Sequence, residues 1–363
     1  MKRLIAVMLA LTMLLSFAAC TKTQESAPEA TPETKVEEEK TPETEENQEA
    51  ASETQEPASH YPITITDQAG REVVIEEEPQ KLVSGYYIST SLMIALELDD
   101  KLVGIEAKAD KRPIYSLAAP ELLELPNVGS AKEFDLEGCA ALEPDLVVLP
   151  RKLKDAAKTL EELGIDVLLV NPENQQQLTE MMELIAAATN TQERAEQLMN
   201  FTATQQKELE TMLAGAPTPS VYLAGNSDLL STAGNAMYQS DLIRLAGGVN
   251  AAAELEDSYW VQIDYEQLMS WNPDYIILAS DASYTPDEVL ADPNLADCTA
   301  VKEGRVYQMP NRAEAWDSPV PSGILGALWM ANVLHGDLLS DEECAARMDE
   351  YYETFYDFTY SAH

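Results

Sequence analysis

The chain has 363 residues and a formal net charge of −41, from 64 Asp and Glu against 23 Lys and Arg. So acidic a chain repels phosphate backbones and anionic headgroups, which excludes nucleic-acid binding and attachment to membranes by basic patches. With only three histidines, His60, His335 and His363, a multi-histidine metal site is excluded as well.

Lys2 and Arg3 open the chain, followed by an apolar run over residues 4–19 and then Cys20. The run is shorter than the roughly 20 apolar residues of a membrane-spanning helix and reads as an export signal. Phe17-Ala18-Ala19-Cys20 resembles a bacterial lipobox, which implies cleavage before Cys20 and lipidation of that cysteine; cleavage without a lipid is the alternative. Residues 21–60 hold twelve Glu against three Lys with repeated Thr-Pro-Glu, too few apolar groups to fold, and read as a solvated tether. Three further cysteines, Cys139, Cys298 and Cys344, show no paired spacing and are expected as small buried residues.

From residue 61 onward, short apolar runs alternate with helical patterns. Lys81-Leu82-Val83, Leu102-Val103-Gly104-Ile105, Asp145-Leu146-Val147-Val148-Leu149 and Asp166-Val167-Leu168-Leu169-Val170 come first. Ser220-Val221-Tyr222-Leu223, Tyr275-Ile276-Ile277-Leu278 and Arg305-Val306-Tyr307 follow. Strands without polar alternation, separated by helices, predict an α/β fold with largely parallel sheets. A repeat marks two halves: Glu137 precedes Pro144-Asp145, and Glu266 precedes Pro273-Asp274, each pair leading into an apolar strand. Between the halves runs a helical pattern without Gly or Pro until Gly215 and Pro217, predicting one long stiff inter-lobe helix. The expected organisation is a signal peptide over 1–19, lipidated Cys20 with its tether over 20–60, and an N-terminal lobe over 61–175. A helical backbone over 176–216 and a C-terminal lobe over 217–363 with terminal helices complete it.

At this point the chain resembles the helical-backbone class of ABC-importer substrate-binding proteins, which includes vitamin B12-, ferric siderophore- and haem-binding members. The resemblance rests on Val83-Ser84-Gly85, the segment from Glu137 to Pro144-Asp145, and Leu242-Ile243-Arg244-Leu245-Ala246-Gly247-Gly248-Val249-Asn250. The segment from Glu266 to Pro273-Asp274 and Val301-Lys302-Glu303-Gly304-Arg305-Val306-Tyr307 complete it. It implies two Rossmann-like lobes facing each other across a cleft and delivery of a captured solute to a permease and ATPase, while the stiff inter-lobe helix predicts little hinge opening. It also implies that Glu137 and Glu266, one on each lobe, dock onto the transmembrane subunits.

Parallel sheets bind ligands beyond the carboxyl ends of their strands, so the candidate contacts are sought there. In the first half these are Tyr86, Tyr87, Lys108, Arg112, Lys132, Arg151 and Lys152, a cationic set on an acidic background that suits an anionic ligand. In the second half they are Tyr259, Trp260, Arg312 and Trp316, rings and charge suited to a chelate. The vitamin B12-binding relatives place an aromatic at Trp260 but a charged stretch around Trp316-Asp317 that this chain lacks, which argues against a corrinoid. The expected cargo is an anionic iron chelate, a ferric siderophore first, with haem, corrinoid or an oxyanion as alternatives. No nucleophile elbow, metalloprotease helix or phosphate-binding loop occurs, so no enzyme and no resident cofactor are expected. The expected protein is a monomer outside the cytoplasm, held to the membrane only by its lipid.

Overall fold

The computed structural model describes residues 60–256 and 259–363. The expected signal segment, Cys20 and the tether up to residue 59 lie outside the described residues. A short antiparallel pair, β1 (Ile63–Thr66) and β2 (Glu72–Ile75), opens the folded part. A four-stranded sheet follows, built from β3 (Leu82–Ser84), β4 (Leu102–Ile105), β5 (Leu146–Pro150) and β6 (Asp166–Val170). Its order is β4-β3-β5-β6 and every pairing is parallel. The crossovers carry α1 (Tyr87–Ala95), α2 (Pro113–Ala118), α3 (Leu136–Ala141) and α4 (Lys154–Glu162).

Two helices, α5 (Gln175–Thr189) and α6 (Gln192–Met212), lead to the second half. Its sheet holds β7 (Ser220–Ala224), β8 (Ser231–Thr232), β9 (Val249–Asn250), β10 (Val261–Gln262), β11 (Tyr275–Leu278) and β12 (Val306–Gln308). Strand β7 pairs with β11, and β11 with β12, in parallel; β8 and β10 add an antiparallel edge. Between and after these strands come α7 (Tyr238–Leu245), α8 (Tyr265–Trp271), α9 (Pro286–Leu290), α10 (Thr299–Lys302), α11 (Ile324–Leu334) and α12 (Asp341–Tyr356). The apolar runs become the inner strands because both faces are covered: residues 146–149 and 276–278 are wholly buried. Cys139, Cys298 and Cys344 are buried free thiols, and burial pushes the Cys139 thiol up to about 12.

The sequence repeat is a structural repeat down to its hydrogen bonds. Helix α3 is capped by Asp135, which accepts from Gly138 N at 2.9 Å; α8 is capped by Asp264, which accepts from Gln267 N at 2.8 Å. Each helix then stops at a residue in the left-handed region, Glu143 (φ 50°) or Asn272 (φ 45°), immediately before Pro-Asp. The aspartate clamps the start of the neighbouring strand. Asp145 Oδ2 accepts from Gln80 N and Lys81 N, both at 2.8 Å, and Asp274 Oδ2 accepts from Ser220 N at 2.8 Å and Ser220 Oγ at 3.0 Å. Asp274→Ala is expected to lower unfolding stability by about 1–2 kcal/mol, since it orphans the Ser220 N–H. An unchanged urea midpoint would remove the clamp from this account.

The helical backbone differs from the single helix expected. Asn190 takes a left-handed conformation (φ 58°) and its N–H bonds to Ala186 O, ending α5, after which Thr191 starts α6. Asn tolerates this conformation better than other side chains with a Cβ, so a break needs neither Gly nor Pro. The apolar stripe survives the break: Leu178, Met181, Met182 and Ile185 are buried on α5, and Ala195, Leu198, Thr202 and Leu209 on α6.

Candidate ligand-binding site

Parallel pairing brings the carboxyl ends of neighbouring strands to one edge of each sheet, so the loops that follow them gather there. In the first half, β3 leads into Tyr86 and Tyr87, and β4 leads into Glu106, Lys108 and Arg112. In the second, β11 leads to Asp281 and β12 to Asn311, Ala313 and Glu314. These loops enclose a cavity of about 130 Å³ with walls from both halves: Tyr87, Ser91 and Arg112 on one side, Asp281, Asn311 and Glu314 on the other. Its floor is stitched across the halves. Ile114 N donates to Ala313 O at 3.0 Å, and Ser91 Oγ donates to the Glu314 carboxylate.

Arg112 is the better covered of the two cations on this cavity's wall. Its guanidinium lies 3.7 Å from the centroid of the Tyr87 ring, a stacking contact that fixes its plane. Its Nε is buried and stands 3.4 Å from Glu106 Oε1 without the alignment of a hydrogen bond. The side chain keeps 30% of its surface exposed, so part of the planar donor fork is left to a ligand. Lys111, also on the wall, pairs with Asp110 at 3.2 Å.

Carboxyl groups surround this cation. Glu106 is 5% exposed and accepts from Tyr115 OH and Thr90 Oγ1, both at 2.7 Å. Burial raises its carboxyl above the usual range, against the pull of those hydrogen bonds and of Arg112. Glu314, 6% exposed, accepts from Ser322 Oγ and Ser91 Oγ, and is likewise raised by burial. Asp281 is exposed and accepts from Asn311 Nδ2 at 3.2 Å. Burial also raises the Tyr87 phenol; a bond with Ser318 and the charge of Arg112 oppose it, while Asp317 and Asp281 add to it.

Among the residues chosen from the sequence, the structure brings Tyr87 and Arg112 to the cavity, with Tyr86 packed edge-on to Tyr87 at 5.3 Å between ring centroids. Lys108 and Lys132 on loops, and Arg151 and Lys152 in a short helical turn after β5, are exposed in the first half, off the cavity wall and without an ion-pair partner among the described residues. Arg312 lines a separate surface depression with Trp329, Met348 and Tyr360. Trp260 is 39% exposed and lies over Gly225, where a Cβ would stand 3.2 Å from the ring; Tyr259 is 66% exposed. Glycine after β7 therefore makes room for an indole at the same sheet edge as Asp281.

Trp316 corrects the sequence reading. It is wholly buried, its Nε1 donates to Tyr352 OH at 3.0 Å, and it packs against Tyr360. The Gly326 position on α11 is so close that a Cβ there would meet Trp316 Cβ at 2.8 Å. The ring is core, because helices α11 and α12 cover the loop that carries it. Asp281, Asn311 and Glu314 escaped notice, although each follows a strand as Arg112 does. In a chain with 64 acidic residues, carboxylates at strand ends do not stand out.

Glu137 and Glu266 are exposed in the first turns of α3 and α8. The repeat thus presents one carboxylate at the matching place in each half.

The periplasmic binding protein family matches residues 82–313. The chain is 25% identical to the molybdate-binding protein of Haemophilus influenzae over 82% of this chain and 91% of that protein. It is 27% identical to an uncharacterized ABC transporter substrate-binding lipoprotein of Bacillus subtilis, over 69% of this chain and 78% of that one. Among crystal structures, a periplasmic solute binding protein from Veillonella parvula superposes with a TM-score of 0.71 at 27% identity, covering 82% of this chain and 93% of that one.

Proposed function

This chain belongs to the periplasmic binding protein family as a substrate-binding protein of an ABC importer, not an enzyme, and on that premise we propose that its solute presents a compact anionic group to Arg112. The observation that carries the proposal is the stacked, part-exposed guanidinium in a cavity walled by both halves. Pockets that enclose a whole small molecule span roughly 300–1,000 Å³. A cavity of about 130 Å³ suits an oxyanion or the charged end of a larger ligand. Similarity to a molybdate-binding protein supports the oxyanion form.

The exposed rings of Tyr259 and Trp260 favour a second form, an anionic iron chelate such as a ferric siderophore resting over the cavity mouth. Iron would then be cargo, and the protein holds no resident cofactor in either form. Glu137 and Glu266 are proposed as the two contacts with the permease, and Cys20 as the lipid attachment, in keeping with the Bacillus subtilis lipoprotein.

Calorimetric titration of the purified protein with molybdate, sulfate, a ferric catecholate, haem and cobalamin tests the reading. An oxyanion or the anionic iron chelate is expected to bind with one site per chain. Binding of haem or cobalamin alone, undisturbed by Arg112→Ala, would overturn it.

A further inference from the structure

Resting on the reading of Arg112 as the anion contact, we propose that Glu106 is the counter-ion with which the incoming anion competes, and that capture is coupled to uptake of a proton by Glu106.

The geometry supports this in two ways. Glu106 Oε1 stands 3.4 Å from Arg112 Nε, while the Tyr87 ring lies 3.7 Å from the guanidinium carbon, so the carboxylate offsets the charge that a ligand would use. An anion on the guanidinium fork would therefore sit one side chain away from a buried negative charge, and in so dry a place that repulsion is poorly screened. Adding a proton to the carboxylate removes it.

The surroundings can also hold that proton. Thr90 Oγ1 lies 2.7 Å from Glu106 Oε2, but it has other acceptors: Ser84 Oγ at 2.7 Å and Tyr86 O at 3.3 Å. When Glu106 is ionised, Thr90 donates to it. When Glu106 is protonated, its O–H donates to Thr90 Oγ1, and the threonine hydrogen turns to Ser84 or the Tyr86 carbonyl. Tyr115 OH donates to Oε1 in both states. No buried polar group loses its partner in the exchange, so proton uptake carries little penalty.

The groups around Glu106 are few. Thr90 comes from α1, Tyr115 from α2 and Arg112 from its own loop. Tyr87 stacks on Arg112, Glu314 shares the cavity wall with it and feels its charge, and the Lys111–Asp110 pair is exposed to solvent. Glu314 is another buried carboxyl that feels Arg112, and its two oxygens already accept from Ser91 and Ser322. The burial-raised carboxyl of Glu106 gives the direction of the pH effect. An anion that draws Arg112 away raises it further, so affinity falls as pH rises through the Glu106 titration, above the ordinary carboxylate range.

The test is titration calorimetry of the wild-type protein with molybdate and with sulfate, at about pH 5.5 and about pH 8, in buffers of different ionisation enthalpy. A net uptake of protons per bound anion is expected at the higher pH, with weaker binding there. Glu106→Gln should bind about tenfold more tightly at that pH and show a flat pH profile without proton uptake. Wild-type binding without proton uptake overturns the proposal while leaving the anion reading intact. Proton uptake that survives in Glu106→Gln assigns the acceptor elsewhere, Glu314 first, and overturns it too. A wild-type protein that binds neither anion overturns the oxyanion form of that reading and this proposal with it.

Discussion

Arg112→Ala is expected to weaken binding of the proposed anionic ligand by about 100-fold, while Lys132→Ala and Arg151→Ala change affinity by no more than about twofold. The difference follows from placement. Arg112 sits on the cavity wall with its plane set by Tyr87, whereas Lys132 and Arg151 are exposed and off that wall. A charge in a dry site contributes through the lifetime of the complex; a charge on the rim acts mainly on the rate of encounter and is screened by salt. Stopped-flow measurement should therefore show Arg112→Ala raising the dissociation rate. The two rim substitutions should lower only the association rate, and only at low ionic strength. The variant stays folded, because Glu106 without its cation takes up a proton and keeps its bonds to Thr90 and Tyr115. Arg112→Lys should recover a small part of the loss, since an ammonium brings charge without the planar stacked fork. Equal losses at all three positions would show that general attraction, not a built contact, holds the ligand.

The double substitution Glu137→Ala with Glu266→Ala is expected to abolish stimulation of the importer's ATPase and solute uptake, with ligand affinity and melting temperature nearly unchanged. Both side chains are exposed in a helix first turn, so locally each offers only a fraction of a kcal/mol to its helix dipole. The argument for docking is their equivalence. Asp135 and Asp264 cap the two helices alike, and the Pro-Asp clamps of Asp145 and Asp274 fix each helix to its own sheet alike. A two-sided partner would meet one carboxylate per half, and charge pairs at such contacts set register. Rim ion pairs are individually weak, which is why the double variant is the informative one. Uptake at the wild-type rate by this variant would sink the docking role.

Much of the fold is legible before any coordinates. Apolar runs such as Leu146-Val147-Val148-Leu149 have no polar alternation, and only a strand covered on both faces can afford that pattern, so parallel sheets follow. The Pro-Asp pairs are readable for the same local reason: proline ends the helix and the aspartate finds the free N–H groups of the strand beside it. The break at Asn190 was less visible, because asparagine permits a left-handed turn without requiring one.

Membership of the α/β binding-protein class, two halves with one grammar and the absence of catalytic motifs were thus determined by the sequence, through interactions between residues close along the chain. What only the tertiary structure decided is which side chains meet. Arg112 and Glu314 are about two hundred residues apart and come together because parallel strands from both halves end at facing edges. Trp316 and Arg112 both follow strands, yet helices α11 and α12 bury the indole while Tyr87 holds the guanidinium at the cavity. Burial is a property of what packs on top of a residue, and for both residues that covering comes from elsewhere in the chain.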